Sequence, residues 1–258
     1  MVNFALFGAG RIGVMHAANI AANPRARLAY VYDVNEAAAR ACAAKHKAKV
    51  APSVDAVLKD KSVDAVLIAS STPTHVDLIT ASAKAGKAIM CEKPIDLDIK
   101  RVERCRKDIA MTGVPIQIGF NRRYDPSHRA VRDALRKGEI GALELLVITS
   151  RDPGLAPVAY LKTSGGIFRD MTIHDFDLAR FILGNDPVVE VSAAGSVMVH
   201  WRRPDSDIDR SVPGAIPRYT VPSGAMRGSP TKRPSTCSRH AGTPFGLTAT
   251  KSLLASPA

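Results

Sequence analysis

Between an apolar run at residues 2–7 and an amphipathic one at 11–22 lies the step Phe-Gly-Ala-Gly-Arg-Ile-Gly, with glycines at 8, 10 and 13. No other short motif here limits the possible folds as strongly. In G-x-G-x-x-G the first glycine permits a tight turn and the second lets backbone approach a pyrophosphate. The third lets the helix pack close against the strand. Gly8, Gly10, Arg11, Ile12 and Gly13 would form that turn, and the open N–H groups of the helix, with its positive dipole end, would face the phosphates. A lone glycine triplet can be an incidental turn, so context decides. Asp33 closes the second apolar run, Leu-Ala-Tyr-Val-Tyr-Asp, about twenty residues after Gly13. A carboxylate there hydrogen-bonds ribose hydroxyls and repels a 2′-phosphate, and Val34 and Asn35 bring no positive charge to welcome one. The expected cofactor is NAD rather than NADP.

The alternation continues through the first 120 residues. Apolar runs at 28–32, 65–69, 88–91 and 116–120 join 2–7 as strands, and 36–46, 74–85 and 99–111 join 11–22 as helices. Strands and helices in alternation give βαβ units and a parallel sheet covered on both faces. A helix at 125–137, a strand at 142–150, a helix at 164–184 and a strand at 188–199 read as the start of an α+β domain. The expected class is therefore α/β, with a dinucleotide-binding domain at 1–120 and a partial α+β domain at 121–200. Residues 201–258 hold 8 of the 17 prolines, 8 serines and no glutamate. With so little periodicity they read as a tail without a recognisable fold.

The net charge of +12 divides equally between residues 1–200 and the tail, without a single basic stripe. That favours a solvated surface over a nucleic-acid face. No apolar run reaches the ~18–20 residues of a membrane span, and no charged leader precedes residues 2–7. Cys42, Cys91, Cys105 and Cys237 show no metal-site or CxxC spacing, so a reducing compartment, most simply cytoplasm, is expected.

Chemistry concentrates at three further places. Ser-Ser-Thr-Pro-Thr-His at 70–75 and Glu92-Lys93-Pro94 each follow a strand, at the sheet edge where such folds bind ligands. Thr74 could simply cap the next helix, and His75 or Lys93 taken alone could be a surface residue. Asp170 and His174 stand four apart in the run at 164–184, a spacing that stacks them on one helix face. A histidine beside a carboxylate can move a proton near neutral pH. Without the cofactor motifs the pair would read as a surface ion pair.

Together the Gly-Ala-Gly-Arg-Ile-Gly turn, Asp33, the 70–75 loop, Glu92-Lys93-Pro94 and the run Gly-Gly-Ile-Phe-Arg-Asp-Met-Thr-Ile-His resemble the Gfo/Idh/MocA oxidoreductases. Gly-Phe-Asn-Arg-Arg-Tyr-Asp-Pro-Ser-His at 119–128 and Ser-Arg-Asp-Pro at 150–153 extend the likeness toward the cyclitol-oxidising members, over residues 2 to about 200. The resemblance implies a Rossmann domain and metal-free, NAD-dependent oxidation of a cyclitol hydroxyl, myo-inositol to 2-keto-myo-inositol. Lys93 would contact the reacting hydroxyl, with a cis peptide before Pro94. His174 would accept the proton and Asp170 would orient it, while Arg122 and Asp152 would contact substrate. Ser70, Thr72, His75 and Glu92 would join the glycine turn in holding NAD. The expected partner is a small polyol, not nucleic acid or membrane. A related sugar dehydrogenase and a dinucleotide-binding remnant without turnover are the alternatives. The family continues into an antiparallel sheet where this chain has its proline-rich tail. A reading frame truncated or shifted near residue 200 is expected, and with it no family-like homotetramer.

Overall fold

The structure, a computed structural model, describes residues 1–151, 156–196, 215–222 and 247–250. Two compact units emerge. The first is Met1–Arg129 with Gly154–Asp177, and the second is Ala130–Pro153 with the chain from Leu178 onward.

In the first unit β1 (Val2–Phe7), α1 (Arg11–Ala22), β2 (Ala26–Tyr32), α2 (Glu36–Lys45), β3 (Lys49–Val50) and α3 (Val54–Lys59) lead to one sheet edge. Then β4 (Ala65–Ile68), α4 (His75–Lys84), β5 (Ala88–Cys91), α5 (Ile99–Ile109) and β6 (Ile116–Ile118) lead to the other. All six strands are parallel in the order β3-β2-β1-β4-β5-β6. The strand order reverses between β1 and β4, which opens a ligand crevice beyond their carboxyl ends.

Alternate side chains enter different cores. Leu6, Leu28, Val31 and Leu67 cluster with Ala17, Ile20, Ala39 and Cys42 of α1 and α2. Ala5, Phe7, Val66, Ile68 and Ile89 cluster instead with Val57, Val76, Ile79 and Cys105 of α3, α4 and α5. Every residue of β4 is buried, as befits an inner strand of a sheet covered on both faces. The five expected strands are present. The two-residue β3 and one-and-a-half-turn α3 were too short to leave a readable period.

Helix starts differ in a way that bears on function. Asn35 accepts the Ala38 N–H, Ser53 the Ala56 N–H and Asp98 the Lys100 N–H, capping α2, α3 and α5. α1 has no side-chain cap and no acid in its first turn. Thr74, a candidate cap from the sequence, does not cap α4. A 3-10 turn at Thr72–Thr74 precedes that helix, and the Thr74 hydroxyl donates to the Ser71 carbonyl at 2.8 Å.

Further along lie α6 (Pro126–Arg136), α7 (Val158–Leu161), α8 (Ile167–Asp170) and α9 (Ile173–Leu183). The single helix expected at 164–184 is therefore two. Gly165 and Gly166 have φ of +84° and +82°, outside the right-handed helical region, so no helix runs through them. Thr172 then bonds back to the Ile167 carbonyl through its N–H (2.9 Å) and hydroxyl (3.2 Å), closing α8 before α9 begins.

In the second unit β7 (Leu145–Ile148) and β8 (Glu190–Ser196) pair antiparallel with β10 (Leu247–Thr250) and β9 (Ala215–Pro222) respectively. Leu178, Phe181 and Ile182 pack with Leu135, Leu143, Leu146 and Ile148. β9 and β10 fall where the sequence offered no element. Pro217 and Pro222 disguise the first, since proline is absent from most strand interiors, and four residues are too few to betray the second. Residues 197–199 of the expected last strand lie outside the described residues. Among the described residues no helix is long and apolar enough to cross a membrane.

Candidate active site

The glycine turn is built as its spacing requires. Gly8 has φ of +101°, and a Cβ there would stand 2.5 Å from the Ser70 nitrogen. A Cβ on Gly13 would stand 1.9 Å from the Gly8 carbonyl oxygen. Packing thus demands the first and third glycines. Gly10 has nothing within 4 Å of a Cβ position, so its smallness serves the open space before the uncapped start of α1. Asp33, at the end of β2, accepts the Ala9 N–H on Oδ2 (2.6 Å) and the Asn35 N–H on Oδ1 (2.7 Å). It therefore also braces the turn. Arg11 is exposed and Ile12 half-buried. An open cradle, a helix start without a side-chain cap and a carboxylate one strand away fit a dinucleotide.

His75 is buried between two loops of the site. It is 1% exposed, with Nδ1 2.8 Å from the Pro94 carbonyl oxygen and Nε2 3.0 Å from that of Ser70. It ties two site loops together through its two ring nitrogens. The Ser70 hydroxyl is engaged with that of Thr74 at 2.6 Å, and Thr72 is half-buried on the same loop.

Lys93 follows β5 directly, and the Lys93–Pro94 peptide is cis, as expected. Its Nζ donates to the Asp170 backbone carbonyl at 2.8 Å and to Asp170 Oδ1 at 3.1 Å. The Tyr160 hydroxyl donates to the same Oδ1 at 2.7 Å. Asp170 thus pairs with Lys93 and Tyr160, not with His174 as its spacing suggested. The break between α8 and α9 takes the two side chains off a common helix face. His174 Nδ1 is buried without a hydrogen-bond partner among the described residues. Its ring meets Phe120 edge to face, with centroids 6.4 Å apart. Burial, then the charges of Lys93 and Arg122, lower the His174 pKa, against weaker opposition from Glu92 and Asp175. The imidazole is consequently neutral at neutral pH, the form that accepts a proton.

Arg122 pairs with Asp175, which is 3% exposed, and Arg123 forks onto Asp177 through Nε (2.8 Å) and Nη2 (2.7 Å). Arg122 thereby gains an acidic partner beside His174. Asp152 lies outside the described residues. Four participants escaped the sequence reading: His16, Tyr160, Asp175 and Asp177. Asp175 and Asp177 bracket Phe176 just after His174, and Arg122 and Arg123 are adjacent, so two pairs of opposite charges were visible without their pairing. His16 carries a weaker signal, three residues beyond Gly13.

A glycine turn at the switch point of a doubly wound parallel sheet, with a carboxylate at the end of the next strand, defines a dinucleotide-binding protein. The chain belongs to the Gfo/Idh/MocA family: residues 2–120 match its NAD-binding Rossmann domain and residues 128–212 its C-terminal domain. NAD, to which Asp33 pointed, is the dinucleotide that domain binds. The chain is 52% identical over 198 residues to inositol 2-dehydrogenase of Rhizobium meliloti (strain 1021), covering 77% of this chain and 59% of that one. A crystal structure of a myo-inositol dehydrogenase from Corynebacterium glutamicum superposes with a TM-score of 0.72 at 46% identity, over 78% of this chain and 60% of that one. One of scyllo-inositol dehydrogenase from Lactobacillus casei with bound NAD(H) and scyllo-inositol gives 0.66 at 29% identity, over 76% and 60%. The chain spans less than two thirds of the length of these relatives.

Proposed function

We propose that this chain oxidises a ring hydroxyl of a cyclitol, myo-inositol to 2-keto-myo-inositol, with NAD as oxidant and His174 as general base. The observation that carries the reading is Lys93 held on Asp170 within the same unit as a neutral, half-buried His174. Relatives that act on inositols support the substrate class.

Oxidising an alcohol removes a hydride from carbon and a proton from oxygen. Hydride acceptance is the chemistry NAD supplies when bound. The chain's own residues manage the proton and the charge. The neutral His174 ring takes the hydroxyl proton, and its depressed pKa keeps it free to do so at physiological pH. The Lys93 ammonium stabilises negative charge developing on the substrate oxygen. Asp170 holds that ammonium through its backbone carbonyl and Oδ1, and Tyr160 fixes the carboxylate. Gly10, the open start of α1 and Asp33 would hold the dinucleotide. Arg122 and Asp152 are assigned to the remaining substrate hydroxyls.

The test is NADH absorbance when the purified chain meets NAD and a panel of cyclitols and aldoses. Turnover should be greatest with an inositol, and His174→Ala or Asp170→Asn should lower it by about 100-fold or more. An aldose preferred over every inositol would replace the substrate. NAD binding with no turnover of anything would sink the enzymatic reading and leave a dinucleotide-binding remnant.

A further inference from the structure

α1 carries a histidine that the proposed reaction does not use. His16 follows Gly13 by three residues, and its side chain is 11% exposed. Its Nε2 lies 2.7 Å from Glu92 Oε1. Glu92 Oε2 in turn accepts the Lys93 N–H at 3.3 Å. On the remaining side sits Gly119, where a Cβ would come within 3.0 Å of both carboxylate oxygens. Three elements therefore enclose one carboxylate: α1, the turn after β5 and the end of β6. Burial by itself would push the Glu92 carboxyl up. The His16 hydrogen bond and charge, then the Lys93 N–H and ammonium, more than offset this and hold it below the ordinary glutamate range. An enclosed carboxylate needs donors at fixed positions. His16 donates to this one from its side chain, and it comes from the helix whose start forms the phosphate cradle.

We infer that His16 is a positioning residue for Lys93: by fixing the Glu92 carboxylate it holds the Glu92-Lys93-Pro94 turn and ties the dinucleotide-binding helix to the proton-transfer loop. The inference rests on the role proposed above for Lys93. It places His16 outside direct contact with reactants, so its loss should fall on kcat more than on NAD affinity.

Five proteins test it: the parent, His16→Ala, His16→Gln, Glu92→Gln, and His16→Ala combined with Glu92→Gln. With myo-inositol and NAD, His16→Ala should lower kcat by up to about 100-fold, the scale of a catalytic group displaced by an ångström. NAD affinity, read by titration calorimetry, should stay near that of the parent. His16→Gln keeps an N–H for Glu92 and should recover most of the loss. Adding Glu92→Gln to His16→Ala should cost little more, because both changes break one link. The inference is overturned if His16→Gln is as slow as His16→Ala, if the double variant shows two full losses multiplied, or if NAD affinity falls while kcat holds. Should the parent turn over no polyol, the proposed function fails, and amide hydrogen exchange without ligands decides this point separately. Faster exchange over residues 92–97 in His16→Ala, with α1 unchanged, would uphold it. Equal exchange in the two proteins would overturn it.

Discussion

At His174 the sign of each neighbouring charge sets when the ring can act. Burial, Lys93 and Arg122 lower its pKa, and Glu92 and Asp175 raise it. The base form is the neutral one, so kcat/KM should climb with pH through the His174 pKa and level off above it. Because that pKa lies below the ordinary ~6.5, the plateau should begin before neutrality. Arg122→Gln removes a lowering charge and leaves Asp175 in place, so the rising limb should move to higher pH. Glu92→Gln removes a raising charge, so the limb should move to lower pH. Profiles of kcat/KM for the two variants check both directions, and shifts of the same sign would show that these charges do not set the limb. Asp175 carries a structural load as well. Its carboxylate is 3% exposed and pairs with Arg122. Breaking a buried ion pair from one side costs about 3–5 kcal/mol. The Arg122 side chain is 27% exposed and can recover some hydration, so Asp175→Ala should lose ~3 kcal/mol of unfolding free energy in a denaturant titration.

At the scale of elements, the turn into α1 separates packing from binding within six residues. Gly10 has φ of −72° and ψ of −174°, open to any residue, with empty space around its Cβ position. Gly10→Ala should leave thermal stability unchanged while weakening NAD at least about tenfold, equivalent to ~1.4 kcal/mol. Gly13→Ala drives a methyl group to 1.9 Å from the Gly8 oxygen, so α1 must move off the sheet. A destabilisation of ~1–3 kcal/mol is expected, the range for overpacked sites. Calorimetric binding beside a melting curve separates the two, and a Gly10→Ala protein that melted early would refute the division. The turn was legible in the sequence because its logic is local, as are the strand and helix periods around it. The break between α8 and α9 was not. Apolar residues keep helical spacing across it, and what closes α8 is the pair of bonds from Thr172 to the Ile167 carbonyl. Asp170 finds Lys93 at a separation of 77 residues, Glu92 finds His16 at 76, and Arg122 finds Asp175 at 53. Those choices are made by the sheet, which brings the ends of β5 and β6 together, so no sequence window contains them. Resemblance to a family supplied the importance of Lys93, which its own residue type left open.

For the molecule as a whole, the first unit owes its integrity to one sheet with a core on each face, and its cysteines sample both. Cys42 lies in the layer of α1 and α2, and Cys91 and Cys105 lie in the opposite layer. They are 4%, 0% and 3% exposed. Burial pushes the Cys42 thiol up against a small opposing pull from Lys45. It pushes Cys91 far up, with Glu92 and Cys105 adding to the shift. Thiolate, the reactive form, is therefore scarce at both positions, and access is closed at all three. In a Cys237→Ser variant these three are the remaining thiols, and an aromatic disulfide reagent should find none of them in the native protein at mildly alkaline pH. Both layers share the central strands β1 and β4, whose side chains alternate between the two cores. Neither layer can then open without stripping the other's support. As denaturant rises, all three thiols should become reactive in one transition, with the midpoint read from far-ultraviolet circular dichroism. Labelling by mass spectrometry assigns each modified cysteine. A Cys42 that reacted well before Cys91 and Cys105 would mean that α1 and α2 detach as a separate cooperative unit. The dinucleotide cradle at the start of α1 would then open without unfolding the layer that supports Lys93.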